Sequence, residues 1–409
     1  MFELCDEIKV LRDPIHGYVN IRLKVVWDCL NSKEFQRLRR IRQLGGAHMA
    51  YHTAEHTRFA HSLGVYEIIR KMVEENSSIQ EALSEEDKVT VMLAGLLHDL
   101  GHGPYSHSFE LISPVKHEEM TVRMITEDSE IHDILEKALP GLSKKVASVI
   151  DMTHPNSLLV QMITGQLDAD RMDYLLRDAY FTGTKYGEFD IQRVLRTIRV
   201  RENKIVVKQS GMHSVEDYIM ARYHMYWQVY YHPVARSHEL LLEAFFKRLS
   251  DAVEEDESWA TYFIPFAPYL KKERITVQDH FIMDESCFNY GLSLFARCSD
   301  PILSDLAERI INRHLFNYED YISEAQKEFC AQRLVDCGFD PRYYLLSDVA
   351  RQEPYVPYKG KNKSLIFVVT QQGEVKELSE VSSIVEALVH GKPVDDIKIY
   401  YPKELSTKK

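Results

Sequence analysis

One short segment of the chain, LLHDLGHGPYSHSFE at residues 96–110, holds side chains that are suited to metal chemistry. His98 and Asp99 stand side by side at the end of an apolar helical stretch, and His102 and His107 follow within a few residues. Imidazole and carboxylate groups are both good ligands for divalent cations. Neighbours on a helix point about 100° apart, so both can bind one ion only if other elements complete the site. The alternative is a polar pair at a helix end that binds no ion.

Two other segments offer the missing ligands. His61 lies in RFAHSLG, and LDADRMDY places Asp168, Asp170 and Asp173 on one short stretch. Two histidines and two carboxylates would leave coordination positions open for water or for phosphate oxygens, as a metal-dependent hydrolase requires. Three further histidines, His48, His52 and His56, recur at four-residue steps, and we expect them at the surface or at a pocket edge rather than on the metal.

Helical periodicity dominates the elements that must position these residues. Predicted helices cover residues 33–45, 60–75, 85–100, 115–127, 130–138, 142–151, 157–163, 168–179 and 190–198. A hairpin around Glu202 and Asn203 is predicted within residues 198–209, and helical periodicity returns over 214–250. The tail holds a predicted strand at 364–373, a helix at 381–391 and a strand at 396–402. We therefore expect a mainly α protein, with a helical catalytic core at 1–250 and an α+β region at 251–409.

Composition excludes several classes of protein. The chain has 409 residues, 45% of them hydrophobic, and a net charge of -12, which excludes collagen-like, mucin-like and disordered proteins. Its apolar runs are too short to cross a bilayer, no secretory signal is visible, and the six cysteines show no metal-binding spacing. We expect a soluble, cytoplasmic protein without a membrane partner. Its basic residues are concentrated, because residues 31–71 hold eight Lys or Arg and three Glu.

Six motifs of the chain, in order, resemble the deoxynucleoside triphosphate triphosphohydrolases of the HD superfamily of metal-dependent phosphohydrolases. The motifs are DPIHGYV, EFQRLRRIRQLGG, HTRFAHSLGVYE, LLHDLGHGPYSHSFE, DADRMDYLLRD and RYHMYWQVYYHP. The resemblance extends over residues 8–240 and is weak in the tail. It implies an HD-domain fold and the hydrolysis of a deoxynucleoside triphosphate to a deoxynucleoside and intact triphosphate.

The resemblance also implies roles for particular residues. One divalent ion, Fe, Mn or Zn, would be held by His61, His98, Asp99 and Asp170, and Mg would accompany the nucleotide. The implied phosphate contacts are Arg58, Arg171, Arg222 and the hydroxyl of Tyr174. The implied catalytic group near the α-phosphate comprises His102, His107, His117 and Glu110, with His107 as general acid; Glu110 stands where the vertebrate enzymes have aspartate.

Sugar recognition and activation follow from the same resemblance. Gln43 and Asp178 would bind the 3′-hydroxyl, whereas Leu44 and Tyr230 would crowd the 2′ position and so select deoxyribose. The alternative for the aromatic segment around Tyr230 is ordinary core packing. An activating deoxynucleotide such as dGTP would bind a separate allosteric site at Asn31, Gln36 and Arg39, although Asn31 replaces the aspartate that reads guanine in the vertebrate enzymes.

The resemblance further implies a homo-oligomer, specifically a tetramer. Two other functions stay open. One is an HD phosphohydrolase that acts on a nucleoside monophosphate or on a cyclic or signalling nucleotide. The other is a nucleotide sensor or single-stranded nucleic-acid binder with weak catalysis, which would use the basic helix at 33–42 and the aromatic segment at 223–231.

Overall fold

The computed structural model describes residues 2–352, 365–390 and 394–407, and helices account for most of them. The predicted mainly α fold, with a short hairpin and a smaller C-terminal α+β region, is confirmed. Within these ranges, no helix has the length and hydropathy that a membrane-spanning segment needs.

The chain begins with an antiparallel hairpin of strands β1 (Leu4–Asp13) and β2 (Gly17–Leu23), which the sequence analysis did not predict. Its turn is held by Asp13, whose Oδ1 accepts the backbone N–H groups of Ile15 and His16 at 2.9 and 3.0 Å. Such a side-chain cap defines a tight turn and fixes the direction of the residues within it. The hairpin therefore presents His16 to the helical core in one orientation.

A set of α-helices then forms the core, and most of them match the predicted segments within a few residues. They are α1 (Lys24–Asn31), α2 (Lys33–Arg37), α3 (Arg58–Glu75), α4 (Ser77–Ala82), α5 (Glu85–Leu97), α6 (His117–Thr126), α7 (Glu130–Ala138), α8 (Leu142–Ile150), α9 (Ser157–Thr164), α10 (Ala169–Thr182), α11 (Ile191–Thr197), α12 (Met212–Met225) and α13 (Pro233–Glu255). Short 3-10 turns lie at Leu38–Arg40, Ala47–Met49, Ser106–Leu111 and Gln209–Gly211, and a π-helical turn lies at Tyr226–Tyr230.

Helices α3, α5 and α10 pack closely because glycine stands at their contacts. A Cβ atom on Gly95 would lie 2.2 Å from Cδ1 of Ile69, and one on Gly64 would lie 1.8 Å from Oδ1 of Asp173. Both distances are far below van der Waals contact. These two glycines therefore allow the three helices that carry the predicted metal ligands to approach one another.

The predicted helix over residues 33–45 is wrong in its second half. Helix α2 continues only through the 3-10 turn to Arg40, after which Ile41 is extended and Arg42 forms a bridge to Thr57. Apolar residues at three-residue steps fit a 3-10 turn, which has three residues per turn, as well as they fit an α-helix. Because the chain extends here, the next residue, Gln43, lies beside the start of α3, where its N–H donates to the carbonyl of His56 at 3.0 Å.

The predicted hairpin at 198–209 is present as β3 (Ile198–Arg201) and β4 (Lys204–Lys208), with Glu202 and Asn203 in the left-handed region at φ 49° and 59°. Strand β4 also pairs in parallel with a strand of the tail. The sheet order is β3-β4-β7-β8, with β7 at Phe367–Val369 and β8 at Val375–Glu377. A second sheet has the order β5-β9-β6, with β5 at Asn317–Asp320, β6 at Leu346–Gln352 and β9 at Val394–Tyr401.

The C-terminal region completes these sheets with shorter helices. They are α14 (Ala267–Leu270), α15 (Val277–Ile282), α16 (Glu285–Phe295), α17 (Pro301–Ile311), α18 (Glu324–Asp336), α19 (Pro341–Tyr344), α20 (Leu378–Val381), α21 (Ser383–His390) and α22 (Glu404–Thr407). The division of the chain at residue 250 stays a prediction. Residue 250 itself lies inside helix α13, and the β4–β7 pair joins the two sides of the division.

A buried arginine ties the C-terminal region to the segment after α5. The side chain of Arg37 is fully buried, and its Nη1 donates to the carbonyls of Leu100 and His102 at 3.3 and 2.9 Å. Its Nη2 donates to the carbonyl of Met283. Burial lowers the pKa of Arg37 to about 10, so the group stays charged at neutral pH. One guanidinium thus satisfies three backbone carbonyls from two parts of the chain.

Replacing Arg37 with Leu should lower the free energy of unfolding by about 3 kcal/mol, because three buried carbonyls would lose a charged donor. Chemical denaturation followed by circular dichroism measures the change. The matched control is Arg201→Leu at the exposed end of β3, which should alter stability by less than about 0.5 kcal/mol. Equal, small effects in the two variants would show that Arg37 does not hold the regions together.

Candidate functional site

The four predicted metal ligands come together from three elements. His61 lies in the first turns of α3, His98 and Asp99 directly follow α5, and Asp170 lies in the first turn of α10. Donor atoms of His61, His98 and Asp99 all lie within 4.8 Å of one another. Oδ1 of Asp170 lies 3.0 Å from Nε2 of His61 and 3.7 Å from Nε2 of His98. The structure therefore forms the cluster that the sequence analysis expected.

The turn after α5 is held against helix α6. A Cβ atom on Gly101 would lie 2.1 Å from the carbonyl oxygen of His117, so only glycine allows this contact. Thr121 of α6 accepts the N–H of Gly101 at 2.9 Å through Oγ1, and the same hydroxyl donates to the carbonyl of His98 at 3.1 Å. These bonds fix the two ligands of the turn relative to each other.

Both histidines of the cluster keep one ring nitrogen for a ligand. Nδ1 of His61 donates to Oδ2 of Asp173 at 2.8 Å, and Nδ1 of His98 donates to the carbonyl of Gly95 at 2.9 Å. Both Nε2 atoms are buried. Asp170 lies close to them, but among the described residues neither Nε2 atom has a partner in hydrogen-bonding geometry. Buried polar atoms are nearly always satisfied, and a ligating histidine uses its second nitrogen in this way. The donor set therefore fits a divalent metal ion.

The electrostatics of the cluster also favour a cation. Burial lowers the pKa of His61, but the carboxylates of Asp170 and Asp173 outweigh it and raise the pKa to about 10. A proton on Nε2 of His61 and a metal ion would therefore compete for the same position, because a metal binds the deprotonated imidazole.

Asp173 is the centre of a buried network behind His61. Its two oxygens accept N–H groups from His61, from Nε2 of His16 at 2.6 Å, and from Nε and Nη2 of Arg177 at 2.8 and 2.9 Å. Arg177 also donates to Asp13 in the N-terminal turn at 2.8 Å. Burial opposes ionisation, but Arg177 and the two histidines hold the pKa of Asp173 well below its usual range. His16 and Arg177 were assigned no role from the sequence, although they lie in the quoted motifs DPIHGYV and DADRMDYLLRD.

Arg58 connects the cluster of proposed metal ligands to the residues around it. Its Nη1 donates to Oδ2 of Asp99 at 2.5 Å, and its Nη2 donates to Oγ of Ser106 at 2.7 Å. Although burial opposes it, Arg58 together with His98 and His102 holds the pKa of Asp99 well below its usual range. Asp99 is therefore ionised at neutral pH and available to a metal.

Three of the four predicted catalytic residues, His102, His117 and Glu110, form a chain of contacts that begins at Asp99. Nε2 of His102 is 3.3 Å from Oδ1 of Asp99, and its ring stacks on that of His117 with centroids 3.8 Å apart. Burial, reinforced by Arg58, lowers the pKa of His102 well below its usual range, so this imidazole is neutral. His117 in turn pairs with Glu110 through Nδ1. The side chain of His107 lies outside the part of the chain that the structure describes.

A cavity of about 370 Å³ lies beside this cluster. Six of the eight predicted substrate contacts line it, namely Gln43, Leu44, Arg58, Tyr174, Asp178 and Tyr230. The other two, Arg171 and Arg222, are not among its lining residues. Arg171 instead pairs with Asp168 and donates to the carbonyl of Gly165, and Arg222 donates to Oε1 of Gln166 at 3.1 Å.

Asp178 and Gln43 form a polar part of the cavity wall. Oδ1 of Asp178 accepts Nε2 of His56 at 2.7 Å, and Oδ2 accepts the hydroxyl of Tyr230 at 2.8 Å. His56, expected from the sequence at the surface or at a pocket edge, is buried at this wall as a partner of Asp178. The side-chain carbonyl oxygen of Gln43 is buried without a hydrogen-bond partner among the described residues, so it can accept a donor from a ligand. Tyr230 closes a π-helical turn, a feature that often marks functional sites.

The three predicted allosteric residues are only partly brought together. Nε of Arg39 donates to Oε1 of Gln36 at 2.9 Å, and the Arg39 guanidinium stacks 3.5 Å above the ring of Phe59. Asn31 instead donates to the carbonyl of Trp27 at 2.7 Å and lines a different cavity. An allosteric role for these residues stays a prediction.

Comparison with known proteins places this geometry in a family. The HD domain model matches residues 58–178, and the HD associated region model matches residues 189–261. The chain is 45% identical to the uncharacterized protein YwfO of Bacillus subtilis, over 98% of this chain and 93% of that protein. It is 30% identical to the deoxynucleoside triphosphate triphosphohydrolase SAMHD1 of Danio rerio over 59% of this chain, and that match spans only 45% of the zebrafish protein.

Solved structures agree with this placement. A phosphohydrolase from Bacteroides thetaiotaomicron has a TM-score of 0.84 at 27% identity, with 97% of this chain and 100% of that chain covered. A hypothetical protein from Aquifex aeolicus has a TM-score of 0.78 at 31% identity, with 98% of both chains covered. The HD motif, His98 and Asp99, contributes to a His-His-Asp cluster with His61. The chain belongs to the HD-domain phosphohydrolases and is close to the deoxynucleoside triphosphate triphosphohydrolases.

Proposed function

We propose that the protein hydrolyses deoxynucleoside triphosphates to a deoxynucleoside and triphosphate. The observation that carries this proposal is the position of Arg58, which lines the cavity and also bonds Asp99 of the metal cluster. A nucleotide in the cavity would thus have its phosphates at the cluster. The named relatives of this activity, at about 30% identity, support the same choice.

One divalent ion, Fe, Mn or Zn, would be held by His61, His98, Asp99 and Asp170. When bound, such an ion supplies Lewis-acid stabilisation of phosphate charge. Mg would accompany the triphosphate of the nucleotide. The paired orientation of the two histidine rings, each fixed through Nδ1, leaves this chain little rearrangement to make on binding a cation.

The cations of the chain would compensate the remaining negative charge of the triphosphate. Arg58 is placed to do so at the cavity wall, and Tyr174 adds a hydroxyl at the same wall. Arg171 and Arg222 would join them by exchanging their present contacts for phosphate oxygens. Donors in these positions would stabilise the charge that develops when the bond between the α-phosphorus and the 5′-oxygen breaks.

The leaving 5′-oxygen needs a proton. We propose His107 as the general acid. The stacked pair His102 and His117 would assist it, with Glu110 as the carboxylate that orients His117. Histidine suits the role because its ordinary pKa lies near neutral pH.

Deoxyribose selection would come from the wall around Asp178. The hydroxyl of Tyr230 is fixed on Asp178, so its ring cannot easily move away from the sugar. Leu44 lines the same cavity, and the two side chains would leave little space for a 2′-hydroxyl. Asp178 and Gln43 would hydrogen-bond the 3′-hydroxyl, and Oε1 of Gln43, which has no partner among the described residues, could accept its proton.

We further propose activation by a deoxynucleotide such as dGTP at Asn31, Gln36 and Arg39, in a homotetramer. The exposed Gln36–Arg39 pair supports this, since a guanidinium can bind a triphosphate by donating N–H groups to its oxygens.

The central prediction concerns the products. Purified protein incubated with metal and with pairs of deoxynucleoside triphosphates should release deoxynucleosides and triphosphate, which chromatography and mass spectrometry identify. Pairs are used so that an activator is always present. Release of monophosphate and pyrophosphate, or no turnover with any pair, would contradict the proposal and favour another nucleotide as substrate.

Replacing Asp170 with Ala should remove one of the four proposed ligands. We expect metal content after dialysis, measured by plasma mass spectrometry, to fall by more than about tenfold, with turnover lost. The matched control is Asp217→Ala on the exposed face of α12, which should retain the metal. Unchanged metal content in the Asp170 variant would remove it from the ligand set.

Replacing Asp173 with Asn should weaken metal binding about 10- to 100-fold although Asp173 is not itself a proposed ligand. The amide would place an NH₂ group among N–H donors and would no longer orient His61 as a carboxylate does. Titration with Mn²⁺ followed by electron paramagnetic resonance gives the affinity directly, independent of turnover. An unchanged affinity, with folding verified by circular dichroism, would show that this network serves stability alone.

A further inference from the structure

Two charged side chains of helix α13, Arg236 and Glu239, line the cavity and have no part in the reaction described above. Helix α13 faces the cavity with Ala235 and, one turn later, with Glu239. A Cβ atom on Gly46 would lie 2.6 Å from the carbonyl oxygen of Ala235 and 3.3 Å from Cγ of Glu239. Gly46, three residues after the proposed sugar contact Gln43, therefore lies directly beside Glu239.

The carboxylate of Glu239 is held in place from one side. Nη1 of Arg236 donates to its Oε2, while Nε and Nη2 of Arg236 donate to the two oxygens of Asp348 at 2.7 and 2.9 Å. Arg236 is thus anchored on strand β6 and holds one oxygen of Glu239. The other oxygen, Oε1, accepts no hydrogen bond from the described residues, and a quarter of the side chain is exposed.

The carboxylate of Glu239 has few hydrogen-bond donors around it. Burial raises the pKa of Glu239, and the nearby Glu243 and Asp348 add to the effect, with Arg236 acting against it. An ionised carboxylate in such surroundings gains from every N–H group that replaces lost water. It has spare acceptor positions on Oε1 and on the second lone pair of Oε2, side by side.

We propose that Glu239 reads the base of the nucleotide and favours guanine. The inference rests on the proposed function, because it requires a deoxynucleoside triphosphate with its sugar at Gln43 and Asp178. Guanine presents two adjacent N–H donors, on N1 and on the exocyclic nitrogen, that match the two oxygens of a carboxylate. Adenine presents one donor beside a ring nitrogen acceptor, which a carboxylate repels and an amide would accept.

An internal competition tests this assignment. The metal-loaded, full-length protein is given equal concentrations of all four deoxynucleoside triphosphates, and the deoxynucleosides released early are quantified by chromatography. Because all substrates and activators share one tube, the product ratios give relative kcat/KM values in the same activation state. The wild-type protein should release more deoxyguanosine than deoxyadenosine, and Glu239→Gln should lower that ratio by about tenfold.

Two further variants keep the result interpretable. Glu243→Gln changes the same residue type one turn along α13, outside the cavity lining, and should leave the ratio as in the wild type. Glu239→Asp keeps both acceptors but withdraws them, and should slow deoxyguanosine release without favouring deoxyadenosine. A ratio that stays within twofold in Glu239→Gln, or wild-type preference for adenine, would overturn the assignment. No turnover of any nucleotide by the wild type would instead contradict the proposed function.

Discussion

The buried carboxylate of Asp173 is the interaction on which the site depends. It accepts four N–H groups, two from Arg177 and one each from His61 and His16, and so joins helices α3 and α10 to the N-terminal hairpin. A buried charge that loses a partner is strongly destabilising, so this arrangement permits little variation in the position of any member. Gly64 is part of the same constraint, because a side chain there would overlap the carboxylate. The orientation of His61 towards a metal follows from this network.

The charges around the proposed active site are already paired within the protein. Arg58 bonds Asp99 and Arg171 bonds Asp168, whereas Arg222 bonds the side-chain amide of Gln166. Such pairing keeps guanidinium groups in defined positions while no polyanion is bound. The arriving triphosphate would share or replace these partners, and its charge would be compensated at sites that need little reorganisation. A chain with a net charge of -12 can therefore accept a polyanion.

The C-terminal region is joined to the site at several points. Arg37 links the segment after α5 to Met283, Arg236 links the cavity to Asp348 of β6, and strand β4 pairs with β7. The Arg37 contact lies close to the cluster of proposed metal ligands, and the Arg236 contact lies at the cavity wall. Through Asp348, the tail therefore holds Arg236 and with it Glu239 at the cavity wall.

Strong local patterns in the chain were enough to predict several elements and site residues. Helix periodicity located α3, α5 and α10, turn chemistry located Glu202 and Asn203, and motif resemblance named His61, His98, Asp99 and Asp170. Each of these signals is carried by residues that are close together in the sequence, so it can be recognised without knowledge of the fold. The end of the helix after Arg40 was missed because three-residue apolar steps also fit a 3-10 turn.

The partners that complete the site depend on the packing of elements that are far apart in the chain. His16 meets Asp173 across 157 residues, His56 meets Asp178 across 122, and Arg236 meets Asp348 across 112. No local pattern encodes such pairs, because each depends on how close α3, α10, α13 and the hairpin come in space. Glycines at positions 64, 95 and 101 permit the close contacts of α3 with α10, of α5 with α3, and of the turn after α5 with α6, yet in the sequence they look like any other helix or turn glycine. The sequence therefore indicates which side chains can do chemistry, whereas their contact partners are known only from the packed structure.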